Sequence, residues 1–281
     1  MVNSCSIVEI LPAGFGTGRR PLFVLLTCEL GRSSPKKSDV ALFHLTEIVL
    51  IGNTSRRKRE GENMEDGGAV ETPFKIQRGK TALIVVDLQN EFVRDGGLIQ
   101  VKDAKATLDT NRKLIEFSRK KGVPVVYTKM SLHDDWALPM KMIRFKEPDR
   151  IRGKALLPGH KRLFTDAGKE LDVTDIVEEV HPDKGDHIIH KHWFDAFNGT
   201  HLGPLLHGLS VEYVLVTGTV THICVESTAK GAFNHGYFPV IVSDGVSSFA
   251  PEHFIKELLN QFANLWGRVM TSVEVMEELS Q

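Results

Sequence analysis

Short apolar runs alternate, from Thr81 onward, with segments whose apolar residues recur at helical spacing. Continuous apolar runs bounded by glycine, proline and charged residues are typical of strands buried on both faces, as in a parallel sheet. Alternation of such strands with helices predicts an α/β fold, a doubly wound parallel sheet with helices on both faces. The predicted strands are residues 82–87, 123–128, 187–190, 213–217, 240–243 and 268–271.

Helices are predicted between these strands. Residues 107–121 carry apolar residues on one face and end at the Gly122-Val-Pro124 sequence, which is typical of a helix terminus. The other predicted helices are residues 202–207, 224–234, 251–265 and 273–278. Residues 131–184 are irregular, with scattered prolines, glycines and charges, and insertions of this length often form lids or subunit contacts.

Composition narrows the class of protein. The chain has 281 residues, of which 41% are hydrophobic and 25% charged, and its formal net charge is −1. That balance is typical of a soluble enzyme and argues against nucleic acid as a partner, because nucleic-acid binding normally shows a basic excess. No apolar run approaches the roughly 18 residues of a membrane span, so no membrane is expected, and the start lacks the pattern of a secretory signal. We therefore expect a cytoplasmic protein.

The segment that begins at Val214 is the most informative. An apolar run ends at Gly218, a polar elbow follows, and Cys224 lies where a helix is predicted to begin. The thiolate is the nucleophilic form of cysteine, and a helix N-terminus favours its negative charge. The competing interpretation is a buried structural cysteine. The other two cysteines, Cys5 and Cys28, are interpreted as free thiols, since three scattered cysteines form neither a disulfide framework nor a zinc site.

Two further strand ends supply groups that a cysteine nucleophile needs. Asp87 follows the apolar run that begins at Thr81, and Lys191 follows a short β-prone run. Open α/β sheets bind ligands at the carboxyl ends of their strands, so an acid, a cation and a thiol are expected in one crevice. Taken alone, Asp87 is better explained as a helix cap and Lys191 as a solvated charge.

These motifs resemble those of the isochorismatase-like cysteine hydrolases. The resemblance covers roughly residues 77–275 and rests on Val-Val-Asp-Leu-Gln-Asn-Glu-Phe, on Ile-Ile-His-Lys with Asp-Ala-Phe-Asn-Gly-Thr, and on Gly-Thr-Val-Thr-His-Ile-Cys-Val-Glu-Ser-Thr-Ala. It implies a Rossmann-like, three-layer α/β/α fold, a homo-oligomer (dimer or tetramer) and no cofactor. It also implies that Cys224 is the nucleophile, Asp87 the general acid and base, and Lys191 the cation that supports the thiolate.

The chemistry of these residues is consistent with that resemblance. Amide hydrolysis becomes easier when it is divided into formation and hydrolysis of a thioester, with a carboxylate moving the protons. The oxyanion of the intermediate needs donors, and backbone N–H groups of the elbow are the candidates. The resemblance implies a cis peptide bond between Thr219 and Val220, which aims the N–H groups of Val220 and Cys224 at the oxyanion.

A small amide or ureide is the expected substrate, because hydrolysis of a vinyl ether needs no thiol. The phrase around Cys224 is most similar to the ureidoacrylate, biuret and carbamoyl-amide hydrolases of the family. An isochorismatase-type ether hydrolase, a nicotinamidase and a catalytically silent scaffold protein remain as alternatives. The candidate pocket walls, each of which is alternatively ordinary core, are Gln89, Phe92, Trp136, Trp193 and Phe197.

No metal is expected, although His181, His187, His190 and His192 lie close together in the sequence. Alternation along a strand separates neighbouring side chains onto opposite faces, and neither cysteines nor clear carboxylates accompany them. Nicotinamidase-like relatives bind zinc through an Asp-Trp-His motif after the second strand. The matching positions here are Met130, Ser131 and Leu132.

Residues 1–75 differ in composition from the rest. Glycine, serine and basic residues are mixed with short apolar stretches, and residues 55–68 have the composition of a solvated linker. We interpret residues 1–75 as a poorly ordered extension or a non-native start, with Met64 as the true initiator, and residues 76–281 as the hydrolase domain. Residues 40–51 are predicted as a strand or short helix.

Overall fold

The computed structural model describes residues 2–12, 22–30, 73–131 and 154–281. The chain divides into two units, residues 1–67 and residues 68–281. In the first unit, strands β1 (Val2–Pro12) and β2 (Leu22–Leu30) pair in antiparallel orientation. Neither strand was predicted. The predicted element at residues 40–51 lies outside the described residues, and the interpretation of residues 1–75 as an extension stays a prediction.

The second unit is built on a six-stranded sheet in which every neighbouring pair is parallel. The strand order is β10-β9-β8-β3-β4-β7. These strands are β3 (Thr81–Val86), β4 (Val125–Met130), β7 (His187–Lys191), β8 (Tyr213–Thr219), β9 (Phe238–Ser247) and β10 (Arg268–Met270). The chain builds one half from β3 towards β7 and then returns to β8 beside β3, so the sheet is doubly wound and the predicted fold class is confirmed.

Helices connect the strands as predicted. Among the described residues, the α-helices are α1 (Asn90–Val93), α2 (Leu108–Lys121), α3 (Leu202–Gly208), α4 (Glu226–Asn234), α5 (Glu252–Leu265) and α6 (Ser272–Glu278). Short 3₁₀ helices span Arg78–Lys80, Lys102–Thr107 and Glu178–Val180. Cys224, predicted as the first residue of a helix, lies in a π-helical turn (Thr221–Val225) that leads directly into α4.

The insertion contains more regular structure than was predicted. Strands β5 (Lys161–Phe164) and β6 (Lys169–Asp172) form an antiparallel hairpin. Their pattern hides this from sequence analysis, because both strands are short and mostly exposed. Ile176 then forms an isolated antiparallel bridge with Gln89, which brings the end of the insertion beside the strand that leads to Asp87.

The centre of the sheet forms the core. Every residue of β3 and of β8 is buried, which explains why both strands read as uninterrupted apolar runs. The two strands are neighbours in register, with Val86 opposite Gly218. The point where the strand order reverses therefore lies between β3 and β8. In open α/β sheets the crevice outside the carboxyl ends at such a point is where ligands bind.

Candidate active site

Asp87, Lys191 and Cys224 meet at the carboxyl edge of the sheet. Asp87 directly follows β3, Lys191 is the last residue of β7, and Cys224 lies in the turn after β8. The Lys191 Nζ lies 2.7 Å from Oδ2 of Asp87. The Cys224 thiol interacts electrostatically with both side chains. All three are buried, with Cys224 3% exposed. The structure thus brings together the three residues that were predicted from separate strand ends.

Thr128 positions the Asp87 carboxylate and was not predicted as a site residue. Its hydroxyl donates a hydrogen bond to Oδ1 of Asp87 at 2.5 Å and accepts one from the Asp87 backbone N–H at 3.2 Å. Asp87 itself has a positive φ of 48°, which directs the backbone away from the strand. Thr128 ends the predicted strand that neighbours β3. Its place at the same sheet edge was the available signal, but side-chain contact depends on register.

The ammonium group of Lys191 is held on several sides. Besides Asp87, its Nζ donates to the backbone carbonyls of Trp193 at 3.0 Å and Phe194 at 3.3 Å, and the Met130 Sδ lies 3.8 Å away. Burial alone lowers the pKa of Lys191, but the nearby Asp87 carboxylate and then Cys224 raise it above its usual value. Lys191 is therefore a fixed positive charge at neutral pH.

The Cys224 thiol is protonated at neutral pH. Burial raises the pKa of Cys224 to about 12, opposed by Lys191 and reinforced by Asp87. From sequence we expected a cation and a helix N-terminus to favour the thiolate. The structure retains the cation but adds burial and an adjacent carboxylate, and these dominate. A reaction at this sulfur would require the thiol proton to leave, and the Asp87 carboxylate is one of the charged groups that interact with the thiol.

The elbow between β8 and Cys224 is shaped by Gly218. This residue has a φ of +106°, and a Cβ on it would overlap the backbone of Val86 in the neighbouring strand. The following peptide bond, Thr219–Val220, is cis, and it is the same bond that the resemblance singled out. The Thr221 hydroxyl donates to the Ser247 carbonyl at 2.9 Å and so fastens the elbow to β9.

Of the five predicted pocket walls, Gln89 is the most firmly engaged by the protein itself. Its amide nitrogen donates to the carbonyls of Met130 at 2.9 Å and Thr174 at 2.8 Å, and its Oε1 accepts from the Met130 N–H at 2.8 Å. Each hydrogen of the amide group and its oxygen thus has a protein partner. Gln89 links the first strand end to β4 and to the insertion.

The four aromatic candidates differ in their surroundings. Phe92 is buried in the core, and Phe197 is buried and stacks on the His235 ring at 4.6 Å between centroids. Trp193 is partly buried against the core, and its carbonyl accepts from Lys191. Trp136 lies outside the described residues. Contact of any of these side chains with a substrate stays a prediction.

In the part of the chain that the structure describes, no group of three or more His, Cys, Asp or Glu side chains is placed to hold a metal ion. Within the same residues, no helix has both the length and the apolar character needed to cross a bilayer.

The second unit of the chain matches a known family model. The model is described as an isochorismatase domain, and it matches residues 81–274. The match begins at the first residue of β3 and ends within α6, so it includes every strand of the six-stranded sheet and all three residues of the buried cluster.

Individual proteins and solved structures are similar over the same region. The chain is 24% identical over 225 residues to the ureidoacrylate amidohydrolase RutB of Agrobacterium fabrum, covering 74% of this chain and 94% of that protein. It is 30% identical to the N-carbamoylsarcosine amidase of Thermoplasma acidophilum, with a TM-score of 0.55, covering 69% of this chain and 96% of that one. A cysteine hydrolase from Pseudomonas syringae pv. phaseolicola superposes with a TM-score of 0.64 at 23% identity, over 74% of this chain and 96% of that one.

Proposed function

Because the chain belongs to the isochorismatase family of hydrolases, we propose that it hydrolyses a small amide, ureide or carbamoyl compound through a thioester on Cys224. The observation that carries this proposal is the burial of a thiol, a carboxylate and an ammonium at one edge of the sheet, where the carboxylate and the ammonium are paired at 2.7 Å and the thiol is electrostatically coupled to both. Two relatives named for amide chemistry, a ureidoacrylate amidohydrolase and an N-carbamoylsarcosine amidase, support the choice of substrate class.

The first step forms the thioester. The Cys224 sulfur attacks the substrate carbonyl as its proton passes to the Asp87 carboxylate, so the weakly acidic thiol never has to exist as a free thiolate. Lys191 keeps its positive charge throughout. It stabilises the negative charge first on the Asp87 carboxylate and then on the tetrahedral intermediate. The backbone N–H groups of Val220 and Cys224 are the proposed donors to the oxyanion. The C–N bond then breaks, and Asp87 returns the proton to the leaving nitrogen.

The second step consumes water. Asp87, again a carboxylate, takes one proton from a water molecule as its oxygen attacks the thioester carbonyl. The C–S bond breaks and the proton passes to the sulfur, which restores the thiol. The balanced reaction is substrate plus water giving an acid plus ammonia or an amine. Thr128 holds Oδ1 of Asp87 throughout, which keeps the other carboxylate oxygen, Oδ2, directed at Lys191.

The test is release of ammonia or amine from a panel of nicotinamide, biuret, N-carbamoylsarcosine and a ureidoacrylate-type acid. Isochorismate turnover is followed separately by product formation. Wild type is compared with Cys224→Ala and with the matched control Cys28→Ala, which removes a thiol from the other unit of the chain. We expect release from at least one amide or ureide, lost in Cys224→Ala and kept in Cys28→Ala.

Other outcomes discriminate among the alternatives. Isochorismate turnover that survives Cys224→Ala assigns the protein to ether hydrolysis. Turnover of nicotinamide alone assigns it to the nicotinamidases. No turnover across the panel by the wild type, as by Cys224→Ala, favours the catalytically silent scaffold.

The cellular and quaternary state are proposed on the same basis. A cytoplasmic homo-oligomer, dimer or tetramer, follows from the family resemblance together with the composition. Light scattering on the purified full chain measures the mass of the assembly. A monomer mass at micromolar concentration would contradict the proposal.

A further inference from the structure

Thr228 connects the helix that follows Cys224 to the segment that holds Lys191. It lies on α4, four residues after Cys224, and is completely buried. Its hydroxyl accepts a hydrogen bond from the Ala196 N–H at 3.1 Å and donates one to the Phe194 carbonyl at 3.4 Å. That same carbonyl accepts from the Lys191 ammonium at 3.3 Å. One hydroxyl and one carbonyl therefore separate helix α4 from the cation of the site.

The neighbouring contact shows how closely α4 and this segment approach. The Asp195 carboxylate accepts from the Phe197 N–H at 2.9 Å and rests against the backbone of Gly231, one turn beyond Thr228. A Cβ at Gly231 would overlap that carboxylate. Small and hydroxyl side chains on one face of α4 thus allow the segment from Trp193 to Phe197 to pack directly on the helix.

We propose that Thr228 is a positioning residue, which sets the Lys191 ammonium relative to the Cys224 sulfur by orienting the Phe194 carbonyl. This inference rests on the proposed cysteine hydrolase function. The hydrogen bonds of Thr228 reach neither the Cys224 sulfur nor the Asp87 carboxylate. The Thr228 hydroxyl donates to the Phe194 carbonyl and accepts from the Ala196 N–H. Loss of the hydroxyl therefore removes both hydrogen bonds that tie the segment from Trp193 to Phe197 to this residue.

The direction of its hydrogen bonds distinguishes Thr228 from a residue with a purely structural role. A threonine inside a helix commonly donates to the carbonyl one turn earlier in its own helix. Thr228 instead uses its hydroxyl on a different segment, and it does so at the carbonyl that receives the catalytic cation. Because reacting groups must be placed within fractions of an ångström, a shift of that carbonyl is expected to affect chemistry more than substrate binding.

The experiment compares Thr228→Val, which keeps the shape of the side chain, with Thr228→Ser, which keeps the hydroxyl. The matched control is Thr81→Val, since the buried Thr81 hydroxyl also donates to a backbone carbonyl but lies at the opposite end of β3 from Asp87. Two quantities are measured: kcat and KM on the substrate found in the panel, and the pH dependence of Cys224 alkylation by iodoacetamide, followed by the mass of its peptide.

We expect Thr228→Val to lower kcat about tenfold to a hundredfold while KM changes less than about threefold. Its alkylation curve is expected to move to higher pH, because Lys191 is the group that favours the thiolate. Thr228→Ser is expected to stay within about threefold of wild type in kcat, and Thr81→Val to match wild type in both measurements. Thr228→Ala removes the same hydroxyl without placing a second methyl beside the Phe194 carbonyl, and the same shifts are expected in it.

Three results overturn the positioning role. They are an unchanged alkylation curve in Thr228→Val and Thr228→Ala, equal impairment of the serine and valine variants, and a lower melting temperature with unchanged kcat. Failure of the proposed function is distinguishable from these. If the wild type turns over nothing in the panel, the hydrolase proposal fails, while the alkylation curves still report whether Thr228 controls the environment of the sulfur.

Discussion

The Lys191 ammonium and the Asp87 carboxylate form an ion pair at 2.7 Å from which solvent is excluded on both sides. Burial of two charges costs more than a surface pair, and it is tolerated when further polar groups satisfy both partners. Here the Thr128 hydroxyl donates a hydrogen bond to the carboxylate, and the carbonyls of Trp193 and Phe194 accept hydrogen bonds from the ammonium. Such a pair contributes little net stability compared with apolar residues, so its presence favours a chemical role.

Variants of the Asp87–Lys191 ion pair distinguish its effect on the free energy of unfolding from its effect on hydrolysis. Asp87→Asn leaves the Lys191 charge buried without its counter-charge, and we expect a loss of about 3–5 kcal/mol in the free energy of unfolding together with loss of hydrolysis. The double variant Asp87→Asn with Lys191→Met removes both charges. It is expected to recover most of the stability in urea unfolding and none of the activity. A double variant as unstable as the single one would show that the pair itself stabilises the fold.

The Thr128 hydroxyl is expected to matter for rate. Thr128→Val removes the donor to Oδ1 of Asp87 and leaves the carboxylate free to rotate, so kcat should fall roughly tenfold to a hundredfold. Loss of the buried hydrogen bonds should cost about 1–2 kcal/mol in urea unfolding. Thr128→Ser keeps the donor and serves as the control. Equal kcat in the valine variant and the wild type would contradict the assignment.

The close approach of β8 to β3 makes Gly218 sensitive to substitution. Gly218→Ala combines a left-handed φ with overlap against the Val86 backbone, and we expect destabilisation of about 3 kcal/mol or more. The matched control is Gly185→Ala, where a Cβ would meet no atom within 4 Å and the expected change is within about 1 kcal/mol. Urea unfolding compares the two. Similar stability of both variants would show that β3 and β8 can separate without cost.

The pH dependence of Cys224 reactivity follows from its raised pKa. With a pKa of about 12, the thiolate fraction of the folded protein should rise about tenfold per pH unit from pH 6 to pH 10 without a plateau. Iodoacetamide alkylation measures this, and the urea-unfolded chain is the control, with a plateau just above the usual cysteine pKa of about 8.5. A plateau below pH 9 in the folded protein would contradict the buried thiol.

The same shift has a consequence for stability. A thiol whose pKa is higher in the folded state holds its proton while the unfolded chain releases it, so the stability that this group contributes is fully present at pH 7 and is lost at higher pH. The free energy of unfolding should fall as pH rises above about 8.5, up to the folded-state pKa. Cys224→Ser should lessen that decline, because serine does not titrate in this range.

Sequence patterns identified the parts of the site that depend on local order. The buried strands β3 and β8 read as apolar runs because helices cover both faces, and parallel strands bring Asp87, Lys191 and Cys224 to one edge. The contact of Thr128 with Asp87 depends on the register of two strands. The raised pKa of Cys224 depends on packing from several segments. Neither the contact nor the raised pKa can be predicted from any single segment of the sequence.

Lys191 ends β7, the outer strand of the six-stranded sheet, which pairs with β4 on one side. Outer strands open in local fluctuations that leave the centre of a sheet intact. The cation of the site is therefore attached to an element whose amide protons we expect to exchange more readily than those of β3. In mild denaturant, hydrolysis should vanish while β3 stays protected from hydrogen exchange. Activity thus depends on local opening of β7, whereas persistence of the fold depends on unfolding of the whole sheet, and these are different equilibria within the same domain.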